Sequence, residues 1–184
     1  YYASRGLGDV YKRQEQTYRA QRYYMLNKPA GVITASRDER HGTVLELFPE
    51  SLRRGLFAVG RLDKDTEGLL LVTDDGALSH ALMSPSRHVS KVYEAELDGT
   101  LVPDAAERFG DGLTLRDGTV CRPALLELLP DGRVRVTLHE GKYHQVKRMI
   151  AACGATVTFL KRVQLGGVRL DESLAPGEFR ELTE

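Results

Sequence analysis

The chain has 184 residues, of which 41% are hydrophobic and 28% are charged, a composition typical of a single globular domain with a sizeable core. Its longest charge-free apolar stretch, residues 149–160, is shorter than the roughly 18 residues that a membrane-spanning helix needs, so no transmembrane segment is predicted. The 26 basic and 26 acidic residues give a net charge of zero, which taken alone argues against a nucleic-acid-binding protein.

The first 20 residues differ in pattern from the rest of the chain. They show no sustained apolar period and no apolar block of a signal peptide, so we expect a truncated or non-native segment over 1–20 and a folded domain over 21–184. Within that domain, the pattern predicts a strand over 23–26, a turn at the Pro and Gly of 27–31, a strand over 32–34 and a short helix over 43–48.

A charged, glycine-bounded connection over 60–68 lies between two short β-type runs, residues 56–59 and 69–73. A polar loop between buried strands is where a rigid scaffold usually presents functional side chains. Three carboxylates alternate in this loop: Asp63, Asp65 and Glu67. Paired carboxylates can serve glycoside hydrolysis, but solvated loop acids fit the same spacing. Asp63 directly follows Arg61 and Leu62, a setting suited to an ionised and positioned carboxylate.

Short helices and strands follow each other through the remaining chain. Helices are predicted over 77–83 and 103–109, and strands over 91–97, 134–138, 156–159 and 168–170. Alternation over 91–97 directs Tyr93 inward. A further helix after Gly141 carries one apolar stripe and ends at Gly154; the stripe consists of Val146, Met149, Ile150 and Cys153. This mixture predicts an α+β fold.

The charges are distributed unevenly along the chain. Residues 141–170 contain no acidic residue and six basic ones: Lys142, Lys147, Arg148, Lys161, Arg162 and Arg169. The remainder of the chain therefore carries six more acidic than basic residues. The pattern favours a local anion-binding surface, although a solvated basic face would have the same composition.

Histidines and cysteines give no sign of a metal site. His139 and His144 lie near Lys147 and could act as general bases, but a histidine at a helix start is more often a hydrogen-bonded or RNA-facing residue. The cysteines have no C-x-x-C or Cys/His spacing, which also excludes a disulfide framework and favours the cytoplasm as the compartment. Phosphate-loop and dinucleotide-binding fingerprints are absent. No metal and no cofactor are predicted.

Three ordered motifs carry a resemblance to a known family. They are Gly-Arg-Leu-Asp-x-Asp-Thr-x-Gly-Leu at 60–69, Lys-Val-Tyr at 91–93 and Glu-Gly-Lys-Tyr-His-Gln-Val-Lys-Arg-Met at 140–149. Together with Leu-Asn-Lys-Pro-x-Gly at 26–31, the Gly pair at 166–167 and the segment 174–178, they resemble the RsuA-type pseudouridine synthases. The resemblance extends over about 23–183 and implies the catalytic fold of that family, a mixed, mainly antiparallel sheet with flanking helices and a central cleft.

The resemblance implies that a uridine in RNA is isomerised to pseudouridine without a cofactor or metal. Asp63 would be the catalytic carboxylate, acting either as a nucleophile or by abstracting a ribose proton. Tyr93 would stack on the flipped uracil, Lys147 would pair with Asp63 and hold it ionised, and Leu165 would pack against the base. Arg61 and Arg148 would contact RNA phosphates or support the loop. The other expected RNA-binding residues are Lys142, His144, Gln145, Lys161 and Arg162.

The wording of the 143–149 motif is most similar to family members that modify small-subunit (16S) ribosomal RNA. A large-subunit (23S) synthase of the same family and a noncatalytic RNA-binding or ribosome-assembly module remain as alternatives. The expected partner is therefore ribosomal RNA or its assembly intermediate, and the expected state is a cytoplasmic monomer without membrane association. The N-terminal S4-type RNA-binding domain usual in small-subunit enzymes has no room before Tyr23, which leaves 21–184 as the catalytic domain.

Overall fold

The computed structural model describes residues 20–182. The chain begins with β1 (Tyr23–Lys28), a 3-10 turn (Val44–Leu47), α1 (Glu50–Arg53), β2 (Phe57–Ala58), β3 (Glu67–Thr73), α2 (Gly76–Met83) and β4 (Lys91–Gly99). It continues with α3 (Ala105–Asp111), β5 (Leu113–Thr114), β6 (Val120–Cys121), β7 (Leu125–Leu128), β8 (Val134–Leu138), α4 (Gln145–Ala152), β9 (Ala155–Leu165), β10 (Val168–Arg169) and β11 (Phe179–Glu181). No helix in this part of the chain is long and apolar enough to cross a membrane.

One large sheet organises the molecule. Its strand order is β11-β1-β3-β9-β4-β8-β7, with β2 added to β3 and β10 added to β9. The pairing of β3 with β9 is parallel, and the other pairings are antiparallel. The predicted α+β fold with a mixed, mainly antiparallel sheet and flanking helices is confirmed.

Several predicted elements differ from those observed. The strand predicted over 32–34 is reduced to an isolated bridge between Ile33 and Thr43. The helix predicted over 43–48 is a 3-10 turn followed by the separate α1. Strand β9 runs much further than 156–159 because its polar residues pair with β4 along the whole strand. The N-terminal segment predicted over 1–20 lies outside the described residues except for its last position.

Two hydrophobic clusters meet at Tyr93. One contains the apolar stripe of α4 (Val146, Met149, Ile150, Cys153) and the inward residues of β8. The other joins alternate residues of β1 and β3 to the segment that includes Leu62. Tyr93, on β4, packs against both clusters. A third cluster, which includes Met25, Leu69 and Leu71, is formed by the intervening residues of β1 and β3 and therefore lies on the opposite sheet face.

The parallel contact between β3 and β9 depends on Gly68. Its φ of +103° is in the region that favours glycine, and a Cβ built there would lie 2.2 Å from the carbonyl oxygen of Arg162. Gly68 therefore allows β3 to approach β9 closely at the point where the 60–66 loop enters the sheet. Arg162 of β9 stands opposite Gly68 of β3 on one side and opposite Tyr93 of β4 on the other. The contact at Gly68 therefore brings the loop close to Tyr93.

Candidate active site

The loop that carries Asp63 is fixed to the segment that follows β1. The Thr34 hydroxyl donates to the Leu62 carbonyl at 2.9 Å and accepts from the Leu62 amide at 3.1 Å. The Gly31 amide donates to the Lys64 carbonyl at 2.8 Å, and the Thr66 amide donates to the Asp63 carbonyl at 3.1 Å. Backbone on both sides of Asp63 is thus hydrogen-bonded, which limits the positions that its carboxylate can take.

A buried lysine completes this support. Lys28 has no exposed surface, and its ammonium donates to the carbonyls of Thr66 at 2.8 Å, Pro29 at 3.0 Å and Lys64 at 3.3 Å. Burial lowers the pKa of Lys28 to about 8, and the nearby Asp65 carboxylate is the largest influence in the opposite direction. Lys28 is therefore charged at neutral pH and holds the loop through its backbone.

The opposite side of the loop faces α4. The apolar stripe of α4 packs into the core, and this packing directs Lys147 towards the loop. The Lys147 Nζ lies 3.3 Å from Asp63 Oδ2 and 2.6 Å from Asp65 Oδ1. Burial works against the charge of Lys147, but the contacts with Asp65 and Asp63 outweigh it and raise the pKa of the ammonium. The hydrogen bond from Lys147 likewise lowers the pKa of the Asp65 carboxyl.

His144 is the second group from this region that reaches Asp63. Its Nε2 lies 3.5 Å from Asp63 Oδ1, and its backbone has a φ of 46°, in the left-handed region, at the residue before α4. The Tyr143 ring stacks on His144 with a centroid separation of 3.9 Å. The two carboxylate oxygens of Asp63 therefore face different nitrogens, the ammonium of Lys147 and the imidazole of His144.

Tyr93 lies on the sheet face covered by α4. It pairs with Val136 of β8 and, after an irregularity between Val92 and Tyr93, with Arg162 of β9. The residue is only partly buried, and it packs against the cluster that contains Leu62, the neighbour of Asp63. The structure thus places an accessible aromatic ring on the sheet beside the carboxylate loop.

Three residues predicted to contact RNA or the base have buried side chains, so their roles stay predictions that this burial does not favour. Arg162 is 1% exposed, and its Nε donates to the Leu69 carbonyl at 2.8 Å. Gln145 is 4% exposed; it donates to Glu140 and accepts from the Lys142 amide. Leu165 is 1% exposed within the third cluster, so it offers no surface to a base.

The acid-free segment does not form one anion-binding surface. In the strand register, Lys161 of β9 stands opposite Glu94 of β4 and Glu67 of β3. Glu94 directly follows Tyr93 in β4, so Lys161 lies on the sheet face opposite Tyr93. Arg148 is held by Asp117 and by the Tyr143 carbonyl, so it links the turn at Asp117 to the segment that precedes α4. Lys142 contacts Glu140 and the Val120 carbonyl.

Arg61 provides an unpaired cation beside Asp63. It is exposed, and it makes no hydrogen bond or ion pair within residues 20–182. The same part of the chain holds no cluster of His, Cys, Asp and Glu suited to a metal ion. The predicted phosphate contact of Arg61 stays a prediction that its exposure favours.

Sequence reasoning assigned no role to three residues of the site. Lys28 lies in the Lys-Pro-x-Gly motif, and its place in that motif could have indicated a role in the site. Asp65 was identified only as a loop acid, although its spacing of two from Asp63 places both carboxylates within reach of one ammonium. Thr34 had no signal, because its hydrogen bonds to Leu62 depend on how two distant segments meet.

Comparison with known proteins gives a consistent set of similarities. A family model described as RNA pseudouridylate synthase matches residues 22–152. The chain is 48% identical over 164 residues to the Escherichia coli (strain K12) protein named ribosomal small subunit pseudouridine synthase A, covering 89% of this chain and 71% of that protein. It is 46% identical over 172 residues to the Bacillus subtilis (strain 168) protein named uncharacterized RNA pseudouridine synthase YtzG, covering 91% of this chain and 72% of the relative. A solved structure titled "Crystal structure of pseudouridylate synthase" superposes with a TM-score of 0.84 at 42% identity, covering 89% of this chain and 71% of that one.

Proposed function

The chain belongs to the RNA pseudouridylate synthase family, and we propose that it isomerises a uridine of small-subunit ribosomal RNA to pseudouridine. The observation that carries the substrate assignment is the 48% identity, over most of this chain, to a protein named for that substrate. The chemistry rests on Asp63, whose carboxylate is held between Lys147 and His144 on a hydrogen-bonded loop.

The reaction requires no external reactant. The bond from C1′ of the ribose to N1 of uracil breaks, the uracil turns, and a bond forms from C1′ to C5. The proton on C5 is lost and N1 gains one, so product and substrate have the same atoms and the same oxidation state. The protein must therefore supply a group that acts at the nucleoside and a path for one proton.

Asp63 is the group best placed to act at the nucleoside. As a nucleophile at C1′ or as a base towards a ribose proton, it must be ionised, because a protonated carboxyl can do neither. Lys147 provides the positive partner of an ion pair with Asp63 in a partly buried site. The hydrogen bonds at Leu62 and Lys64 hold the carboxylate in position, so little reorganisation is needed when substrate arrives.

Access to the nucleoside requires the uridine to leave the base stack. Enzymes that act on bases extrude the nucleotide into a pocket and hold it with aromatic side chains, while cations contact the backbone. Tyr93 is a partly accessible aromatic that packs against the cluster containing Leu62, and we assign it to the uracil. The exposed Arg61, next to Leu62 and Asp63, is assigned to an RNA phosphate. A ribosomal RNA substrate, free or in an assembly intermediate, implies action in the cytoplasm, and we expect a monomer to suffice.

The decisive experiment is a map of pseudouridines in both ribosomal RNAs, from cells that lack the gene and from the same cells supplied with it. We expect one small-subunit position to regain pseudouridine with the wild-type protein and to stay uridine with Asp63→Asn. The Asp63 side chain is partly exposed and asparagine has nearly the same size, so this variant should unfold at close to the temperature of the wild type. Asp98→Asn, an exposed carboxylate at the far end of β4, is the matched control and should restore the modification.

Other outcomes would assign a different function to the chain. A position restored in large-subunit RNA would make the chain a synthase of that RNA. Salt-sensitive RNA binding without any isomerised base would make it a noncatalytic module. Full modification by Asp63→Asn would contradict the assignment of the catalytic carboxylate.

A further inference from the structure

Tyr143 is an aromatic side chain that the fold does not use. It is 76% exposed, although aromatic rings contribute most to stability when they are buried. One face of the ring is covered by His144, at a centroid separation of 3.9 Å and an interplanar angle of 16°. With three quarters of its surface exposed, the ring has its other face open to solvent. The core therefore does not explain why an aromatic residue stands here.

The position of the ring is nonetheless defined. Arg148, one turn into α4, donates to the Tyr143 carbonyl at 3.1 Å. His144 adopts a left-handed backbone conformation, with a φ of 46°, which is unfavourable for a non-glycine residue and persists only where surrounding contacts select it. These contacts hold the Tyr143 and His144 rings in one stack at the start of α4.

One ring of this stack contacts the catalytic carboxylate. The edge of the His144 imidazole faces Asp63, with Nε2 3.5 Å from Asp63 Oδ1, and the Tyr143 ring covers one face of the same imidazole. The open face of Tyr143 is thus carried by a ring stacked on a residue that contacts Asp63. A nucleoside that reacts at Asp63 would have its neighbouring nucleotide in this region.

The neighbouring nucleotide has a reason to bind an aromatic ring. When the target uridine is extruded, the adjacent base loses a stacking partner, and this loss is part of the cost of extrusion. Aromatic side chains replace such partners in single-stranded RNA recognition, and they do so without requiring a particular base. An exposed ring held beside the carboxylate suits this purpose.

We propose that the open face of Tyr143 stacks on the base of the nucleotide adjacent to the target uridine, in an extension of the His144 stack. The proposal rests on the proposed function, because it assumes an RNA uridine at Asp63. Tyr143 is then a substrate-binding residue that supports extrusion of the uridine and takes no part in bond making or breaking.

The test compares Tyr143→Leu with Tyr143→Phe on the small-subunit RNA fragment that carries the mapped uridine. Leucine keeps apolar bulk but removes the π face, so we expect KM to rise about tenfold, equivalent to about 1.4 kcal/mol, with kcat changed less than about twofold. Phenylalanine keeps the π face and should restore the wild-type KM. Leu128→Ala is the matched control, since Leu128 is 77% exposed on the edge strand β7, two strands from Tyr93, and should leave KM unchanged.

A second set of RNA fragments separates stacking from other causes. Each fragment lacks the base of the nucleotide on one side of the target uridine. On the side that Tyr143 contacts, removal of the base should abolish the difference in KM between wild type and Tyr143→Leu. An unchanged KM in Tyr143→Leu, or a difference that persists in both fragments, would overturn the stacking proposal while leaving the proposed function intact. A wild-type protein that modifies no small-subunit uridine would overturn the proposed function, and this proposal with it.

Discussion

Two lysines contact the Asp63 loop from opposite sides, and they hold it by different means. Within residues 20–182, Lys28, at the end of β1, is fully buried and bonds only to backbone carbonyls. In the same part of the chain, Lys147, on α4, is partly exposed and bonds only to carboxylates. Burial lowers the pKa of Lys28 to about 8, whereas the contacts of Lys147 with Asp65 and Asp63 overcome its burial and raise its pKa.

The difference separates two requirements of the site. A carboxylate that acts on a nucleoside must be in the right place, and it must be ionised. Lys28 makes no hydrogen bond to Asp63, since its three hydrogen bonds go to carbonyls; it attracts Asp63 only through its charge and sets the path of the backbone on either side. Lys147 supplies the neutralising charge. Variants of the two lysines should therefore fail in different ways.

The largest effect is expected when the charge at Lys147 is removed. Lys147→Met should lower kcat about a hundredfold or more, because loss of one preorganised electrostatic partner typically costs about that much. Lys147→Arg keeps the charge and should retain most of the activity. Single-turnover kinetics on the RNA fragment would measure both variants. Equal kcat values for the methionine and arginine variants would contradict the assigned role.

A smaller effect is expected on the Lys28 side, with a dependence on pH. Above about pH 8 the Lys28 ammonium loses a proton, and the remaining amine has two hydrogens for three carbonyls. Activity should therefore decline around pH 8, while Lys147 stays charged. Lys28→Arg keeps its charge through this range and should shift the decline to higher pH. A profile of kcat from pH 6.5 to about 9.5 tests this; the same midpoint in both proteins would assign the decline to another group.

Stability should respond to pH in the opposite direction. The pKa of Lys28 is lower in the folded chain than its ordinary value of 10.5, so the unfolded chain binds more protons between about 8 and 10.5. The contribution of this group to the free energy of unfolding consequently rises with pH across that window. Urea unfolding of wild type and Lys28→Met at pH 7 and pH 9.5 would isolate it. A decline of activity caused by general unfolding would instead be accompanied by a loss of stability.

The smallest effect is expected at Asp65. This carboxylate makes the shorter contact to Lys147, but its side chain is 73% exposed, and an exposed ion pair contributes about 0–1 kcal/mol. In Asp65→Asn, Asp63 should be the one carboxylate that still pairs with Lys147, and kcat should change by less than about threefold. A loss comparable to that of Asp63→Asn in the same kinetic assay would show that the two carboxylates act as a pair.

Local patterns in the sequence identified much of this protein. Period-two and period-3.6 alternation predicted β4, β8 and α4, because each of these elements buries one face and exposes the other. The sequence also indicates a polar loop over 60–68 between two strands, and the motif that contains Asp63 resembles one family. Local patterns do not show which basic residues of the acid-free segment 141–170 are accessible to RNA. Arg162 and Lys161, for example, are adjacent in the sequence but lie on opposite faces of the sheet.

The sequence by itself therefore determined the types of β4, β8 and α4, the place of the 60–68 loop and the family, which depend on local patterns and short motifs. Only the tertiary structure decided which side chains meet at the site. The parallel contact of β3 with β9 at Gly68 turns Arg162 inward, and the end of β1 brings Lys28 under the loop. The packing of α4 lets Lys147 join Asp63 from 84 positions away. The net charge of zero argued against nucleic-acid binding, but it carries no information on these contacts, because it sums charges without regard to where the fold places them.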